Sequence, residues 1–352
     1  MAKKNAAPTM KDVAQEAGVA LGTVSKVVNG IPVGPAYQKK VEAAIKKLDY
    51  RVNSYAKGLK SNKTMTIAFL VPDTITPFFG QLTYHINCTL AKRGYRMLLC
   101  STNADPQLEQ TYVDMAYQNK VDGIIMLSYS QKLQVPEGTP LVTIDRHLDP
   151  LIPCVSSDNF GGGQLAVRCL LKGGCKKLAY ISTSSPFANE VNKRGDGFLS
   201  SCTAAGIPYE MLRVYDGTPF QVFTDFLNQH THNGALEFDG IFCVTDDLAL
   251  KITSYLRSQG IRVPEDVQII GYDGVVEFYT KKYVCSTIVQ PIDKIAEASV
   301  ELILTEDWSK APPLLSLPVT YAYGGTTKEC PLCPAIISSG CNGMCSRRKN
   351  PP

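Results

Sequence analysis

A small all-α N-terminal unit followed by two doubly wound α/β lobes is the fold class that this 352-residue sequence predicts, and three observations predict it. Residues 9–48 repeat their apolar positions at the helical period. From Met65 onward, short apolar runs alternate with amphipathic segments, the pattern of parallel sheets covered by helices. That alternation comes in two series, on either side of Asn159, and the chain is too long to close around one core.

The first element opens at Thr9, whose hydroxyl can accept from a free N–H of the first helical turn. Asp12 in that turn suits the positive end of the helix dipole. Val13, Ala14 and Ala17 make its apolar face, and Gly18 can end it in a left-handed conformation. A second helix over about Leu21–Val28 turns Val24, Val27 and Val28 inward and Leu21, Gly22, Ser25 and Lys26 outward. Pro35 fits the first turn of a third helix that runs to about Leu48, with Val41, Ala44, Ile45 and Leu48 as its stripe. Lys39, Lys40, Lys46 and Lys47 face outward, either as a solvated surface or as phosphate contacts. Two short helices joined by a Gly-containing turn have the form either of a helix-turn-helix, which reads DNA with its second helix in the major groove, or of a plain amphipathic helix pair with no DNA nearby.

Charge points to the DNA-reading form. Residues 1–63 hold twelve Lys/Arg against four Asp/Glu, a net of +8, while the other 289 residues carry −4. A basic module on a mildly acidic body is the electrostatic footprint of nucleic-acid binding. The basic N-terminus precedes no apolar run and no stretch of 18 apolar residues appears, so neither a signal peptide nor a membrane span is expected, and the expected location is the cytoplasm. Cysteines 88, 100, 154, 169, 175, 202, 243 and 285 scatter through expected strands and helices as small apolar residues of a reducing compartment.

In the first α/β series MTIAFLV, YRMLLC, GIIML and PLVTI read as strands, with helices near 78–93 and 106–118. In the second, KLAYIS, MLRVY, GIFCV and VQIIGYD alternate with helices near 160–172, 191–205, 219–230 and 246–259. LLSLPVTYAY reads as the last strand. A cleft between two such lobes is the natural small-molecule site, because strand ends and their loops converge there. Polar residues stand at those ends: Asp73, Asp145-Arg146, Ser157-Asp158-Asn159, Arg194, Thr245-Asp246-Asp247 and Asp273. Carboxylates and guanidinium suit paired hydroxyls, and aromatic faces suit the C–H surfaces of a sugar. Gly161-Gly162-Gly163 reads either as a phosphate cradle or, lacking the lysine of a P-loop, as a packing element. Phe78 and Phe79 read as pocket or as core.

Lys11-Asp12-Val13-Ala14, Ala17-Gly18-Val19, Thr23-Val24-Ser25 and Val27-Val28-Asn29-Gly30 closely resemble the DNA-binding headpiece of the lactose-repressor (LacI/GalR) family of bacterial transcription regulators. The resemblance extends over residues 9 to 327. It implies a headpiece at 8–52, a hinge helix and linker at 53–63, and a two-lobed periplasmic-binding-protein-like core at 64–328 for effector binding and dimerisation. The chain would cross between lobes near Asn159, Pro291 and Leu317. A homodimer would place Leu21, Gly22 and Lys26 on base edges of a palindromic operator, Thr23 and Ser25 on phosphates, and Asn29 beside them. In the hinge, Asn53 caps, Ala56 follows, and Leu59 wedges into the minor groove. Two departures mark this hinge: Val52 stands where the family has proline, and Gly58 lowers helix propensity by up to about 1 kcal/mol. Phe79, Arg194, Phe242, Thr245 and Asp273 match effector-pocket positions, and Phe78, Asp145 and Arg146 join them from the strand ends. The resemblance leaves neutral hydroxylated ligands, purines and phosphorylated sugars open as effectors, and one arginine among several acids favours an uncharged sugar over a sugar phosphate.

The tail at 329–352 departs from the family. Cys330, Cys333, Cys341 and Cys345 form either a zinc site, with a seven-residue gap shorter than common spacings, or a reduced tail; no other cofactor is expected. Histidines 85, 147, 230 and 232 sit in no assignable catalytic motif, and a hydrolase built on Asp145-Arg146-His147 is disfavoured, so no enzyme is expected. The alternative, a transporter's solute-binding protein, would share the two lobes but not the basic helix-turn-helix.

Overall fold

A computed structural model describes residues 8–50, 63–130, 132–185, 189–305 and 311–328, with the backbone of 336–337 and 345–346. The chain divides into two compact units, Met1–Met65 and Thr66–Pro352. The hinge positions Asn53, Ala56 and Leu59, and Cys330, Cys333 and Cys341 of the tail, lie outside the described residues.

Among its described residues the first unit has three helices, α1 (Met10–Ala17), α2 (Leu21–Val28) and α3 (Pro35–Lys47). Thr9 and Asp12 close a capping box at α1: the Thr9 amide donates to Asp12 Oδ2 at 2.7 Å and the Asp12 amide to Thr9 Oγ1 at 3.4 Å. The same hydroxyl holds the Asp12 carboxyl below its usual range. Gly18 ends α1 at φ +62°, a left-handed cap that glycine adopts without Cβ strain. Val13, Ala14, Ala17, Val24, Val41 and Ala44 are the buried core, with Val27, Val28, Ile45 and Leu48 packed against it. Lys47 pairs with Glu16 at 2.6 Å, tying α3 to α1 across the surface.

The second unit has two six-stranded sheets. In chain order its elements are β1 (Thr66–Val71), α4 (Pro77–Lys92), β2 (Arg96–Ser101), α5 (Pro106–Gln118), β3 (Gly123–Met126), β4 (Leu141–Ile144) and β5 (Cys154–Ser157). Then come α6 (Asn159–Lys172), β6 (Leu178–Ser184), α7 (Lys193–Ala205), β7 (Tyr209–Tyr215), α8 (Gln221–Gln229), β8 (Thr231–His232) and β9 (Ala235–Leu236). Last come β10 (Gly240–Cys243), α9 (Asp246–Ser258), β11 (Gln268–Asp273), β12 (Thr287–Val289), α10 (Ile292–Ile303), β13 (Leu314–Leu317) and β14 (Thr320–Ala322). Beyond them, β15 (Ile336–Ile337) pairs antiparallel with β16 (Cys345–Ser346).

Lobe 1 has strand order β13-β5-β4-β3-β1-β2, all parallel; lobe 2 has β14-β12-β11-β10-β6-β7, parallel except for β14. The chain passes from lobe 1 to lobe 2 between β5 and α6, returns between β12 and α10, and crosses again between β13 and β14. The second unit thus has the two-lobed, doubly wound architecture that the alternation predicts.

Two details differ from the sequence reading, and a third decides between its alternatives. LLSLPVTYAY is not one strand but two in different sheets, because Pro318 has no N–H for a ladder and the chain changes lobe there. Strands β5 and β12 are short and carry Ser and Thr, and α10 joins lobe 1 through Ile292, Ile295, Ala296, Val300 and Ile303. Gly161-Gly162-Gly163 is a packing element. A Cβ on Gly163 would lie 2.0 Å from the Arg194 carbonyl oxygen, and one on Gly197 2.0 Å from that of Phe160, so α6 and α7 cross with their backbones in contact.

Candidate effector cleft and DNA-reading face

The C-terminal ends of strands from both sheets meet at one place, and Arg194 is its centre. This side chain, 2% exposed at the start of α7, donates from Nε to Asn159 Oδ1 at 2.7 Å and from Nη1 to the Val244 carbonyl at 2.6 Å. Its guanidinium lies 3.6 Å from the Tyr272 ring centroid and 3.8 Å from Asp273 Oδ1. Asp273, at the end of β11, accepts from Gln290 Nε2 at 2.8 Å, and Gln290 in turn accepts from Ser157 Oγ at 2.7 Å. Asp145, at the end of β4, accepts from Ser156 Oγ at 2.6 Å, while the Asn159 amide donates to that same Ser156 oxygen at 2.9 Å. One hydrogen-bonded network therefore joins lobe 1 (Asp145, Ser156, Ser157) to lobe 2 (Arg194, Asp273) through the crossover residues Asn159 and Gln290, with the Tyr272 ring stacked on Arg194.

Two backbone features mark this place as strained. Asp145 has φ +59° and Asp273 has φ +127°, conformations that side-chain-bearing residues rarely adopt and that concentrate at functional sites. Burial pushes the Asp273 carboxyl up to about 7, against the opposing pull of Arg194. Burial also raises Asp145, against Ser156 and the two arginines. Carboxyls poised in this way can accept from ligand hydroxyls in one protonation state and donate to them in the other.

The expected pocket residues do not all meet there. Phe242, expected in the pocket, is fully buried in the core of lobe 2, with ring centroids 5.3 Å from Tyr180 and 6.4 Å from Phe198 and Tyr272. The pleat of β10 turns it into the sheet–helix layer, which corrects the expectation. Phe78 is likewise core in lobe 1, and Phe79 packs against that core, edge-on to Phe78 at 5.6 Å. The Thr245 hydroxyl caps α9, accepting from the Leu248 amide at 3.3 Å. Asp73 accepts from the amides of Ile75 and Thr76 and so shapes the turn before α4. Arg146 is at the seam: its backbone bridges to Asn189 of lobe 2, and its guanidinium lies 4.0 Å from the Tyr129 ring centroid. Sequence reasoning missed Gln290 and Tyr129. Gln290, polar and directly before the crossover proline, carried a usable signal; Tyr129 did not.

On the headpiece, Leu21, Gly22, Lys26 and Asn29 are exposed along one face of α2, with Thr23 and Ser25 part-buried beside them. No described side chain caps the first turn of α2, where the Thr23 amide donates to the Ala20 carbonyl at 2.9 Å. Asn29 is partly engaged, its amide donating to the Ser25 carbonyl at 2.7 Å.

No described helix is long and apolar enough to cross a membrane. Comparison with known proteins matches residues 9–53 to the family described as bacterial regulatory proteins, lacI family. Residues 64–299 match periplasmic binding proteins and the sugar binding domain of the LacI family. The sucrose operon repressor of Pediococcus pentosaceus is 32% identical over 301 residues, 84% of this chain and 91% of that one. A periplasmic binding protein/LacI transcriptional regulator from Alkaliphilus metalliredigens, solved with D-xylulofuranose, is 27% identical with TM-score 0.64, over 75% of this chain and 100% of that one. The Lac repressor dimer bound to operator and the anti-inducer ONPF shares the fold at TM-score 0.77 and 22% identity, over 91% of this chain and 99% of that one. Headpiece, two-lobed core and relatives agree: the chain belongs to the LacI family of bacterial regulatory proteins and is a DNA-binding regulator of transcription.

Proposed function

We propose that this regulator is a cytoplasmic, non-enzymatic repressor that binds a palindromic operator as a homodimer and is controlled by a small sugar held between its lobes. The observation that carries the reading is the network around Arg194. Asp145 and Asp273 at strand ends of the two lobes and Arg194 at the start of α7 bring three buried ionisable groups together, held by Ser156, Gln290, Asn159 and the Val244 carbonyl, and the hydroxyls of a ligand suit the hydrogen-bonding capacity that remains. Relatives named for the sucrose and ribose operons support the sugar class.

In the headpiece, Leu21 and Lys26 read base edges, with Lys26 donating to guanine, and Thr23 and Ser25 meet phosphates. Leu59 wedges into the minor groove of the operator centre. Sugar closure of the cleft changes operator affinity by about 1–3 kcal/mol. Zinc held by Cys330, Cys333, Cys341 and Cys345 is a separate proposal, supported by the four thiols alone; metal analysis under reducing conditions tests it, with about one zinc per chain expected.

Selection of DNA from a random pool by the purified chain tests the DNA side. An enriched palindrome is expected, and Leu59→Ala should bind it more weakly while keeping sugar affinity. Sequence-blind binding that sugar leaves unchanged would refute the reading.

A further inference from the structure

Glu109 is the one fully buried glutamate among the described residues, and it lies in the first turn of α5, away from the network around Arg194. Burying a carboxyl group costs several kcal/mol unless it is hydrogen-bonded, and the partners that compensate here all belong to one loop. Ser128 Oγ donates to Oε2 at 2.6 Å, the Tyr129 amide to Oε1 at 2.7 Å and the Ser130 amide to Oε2 at 3.2 Å. Three donors fix the path of the chain just after β3, and with it the Tyr129 ring. That ring carries the Arg146 guanidinium 4.0 Å from its centroid. Arg146 itself sits where lobe 1 touches lobe 2, through its bridge to Asn189, and the neighbouring Asp145 carbonyl accepts from the Glu190 amide at 2.9 Å. The Nη1 of Arg146 is buried without a hydrogen-bond partner among the described residues. A buried guanidinium nitrogen with no acceptor is costly, and a ligand oxygen at the seam would remove that cost.

The geometry points to Glu109 and Tyr129 as positioning residues for the effector response: Glu109 fixes the loop, Tyr129 on that loop supports Arg146, and Arg146 presents an unsatisfied donor to a ligand oxygen between the lobes. Neither Glu109 nor Tyr129 touches the ligand. This inference rests on the proposed effector reading for its functional consequence, but its structural core is independent of it.

The full chain, labelled with ¹⁵N, tests the relay through its arginine Nε–Hε resonances. Arg146 is identified by its loss in Arg146→Lys. It should lie upfield of the main arginine cluster, as should Arg194 on Tyr272, because a ring stacked on the guanidinium shields it. Tyr129→Phe keeps the ring and should leave the resonance in place. Tyr129→Leu should return it to the main cluster. Glu109→Gln keeps the volume but sets an amide N–H₂ against backbone and hydroxyl donors, so the resonance should move as in Tyr129→Leu. If Glu109→Gln does not fold, Ser128→Ala, which removes one donor of three, should give a smaller shift in the same direction. An Arg146 resonance that stays put in Glu109→Gln or Ser128→Ala, even with a lowered melting temperature, would show that Glu109 only stabilises lobe 1 and would overturn the relay. Failure of the effector reading shows elsewhere: operator affinity of the unmodified chain would then ignore sucrose, D-ribose and cellobiose, whatever the arginine spectra show.

Discussion

Replacing Arg194 by Met keeps most of the apolar stem and removes the charge. Four interactions go with it: the bonds to Asn159 Oδ1 at 2.7 Å and to the Val244 carbonyl at 2.6 Å, the ion pair with Asp273 at 3.8 Å, and the stack on Tyr272 at 3.6 Å. Breaking a buried ion pair by removing one partner costs about 3–5 kcal/mol, because the other partner stays buried and unpaired. Melting should fall on the order of 10 °C for a unit of this size. The cost should also depend on pH. With Arg194 present, the Asp273 carboxyl titrates near about 7, burial raising it and Arg194 pulling it down. Without Arg194 its folded value rises further. Below pH 7 the group is protonated in both proteins and only the hydrogen bonds are lost. Above pH 7 the parent ionises while the variant holds its proton, and the unfolded chains are alike. The variant therefore loses up to about 1.4 kcal/mol per pH unit relative to the parent. Denaturant unfolding of the full chain, followed by circular dichroism at about pH 6 and about pH 8.5, measures both terms. In an Asp273→Asn background the pH dependence should shrink to the part contributed by Asp145, which Arg194 also pulls down. A penalty under about 1 kcal/mol, or one equal at both pH values, would refute the buried pair.

Three further outcomes follow from local geometry. Thr9→Ala breaks the capping box of α1 and should cost about 1 kcal/mol, so that α1 amides exchange about fivefold faster in the full chain; unchanged exchange would count against the cap. Gly163→Ala sets a methyl against the Arg194 carbonyl and should cost several kcal/mol or prevent folding, and a variant that melts with the parent would mean that α6 and α7 do not touch. Gly22→Ala meets open space and should instead gain up to about 1 kcal/mol of helix stability, read by slower exchange in α2.

Which features could be read in the sequence follows from how locally each is determined. The headpiece was legible because a capping residue, a glycine at a left-handed end and a valine stripe all act within a few residues of one another. The Val/Ile-rich strands β1, β3, β4, β10 and β11 were legible because parallel strands covered on both faces are apolar throughout. Strands β5 and β12 were not, since Cys154–Ser157 and Thr287–Val289 are short and carry Ser or Thr that bond in the interior. Helix α10 carries a stripe legible at the helical period in Ile292, Ile295, Ala296, Val300 and Ile303. At the site, charge was a good guide: Arg194, Asp145 and Asp273 converge. Aromatic identity was a poor one, because a strand-end phenylalanine such as Phe242 reads the same whether it faces a cleft or a core. Glu109 was invisible as a site residue, since an acid in a first helical turn reads as a dipole partner; its burial against the loop after β3 is set by tertiary structure alone.

The measurement that bears most directly on the account is the affinity of the purified chain for its selected operator, by fluorescence anisotropy, with and without each sugar of a panel, for the parent and for Asp273→Ala. The account predicts that one sugar shifts the parent's affinity by about 5- to 150-fold, while Asp273→Ala binds the operator as the parent does and ignores that sugar. A full response in Asp273→Ala would place control outside the network around Arg194 and contradict the account.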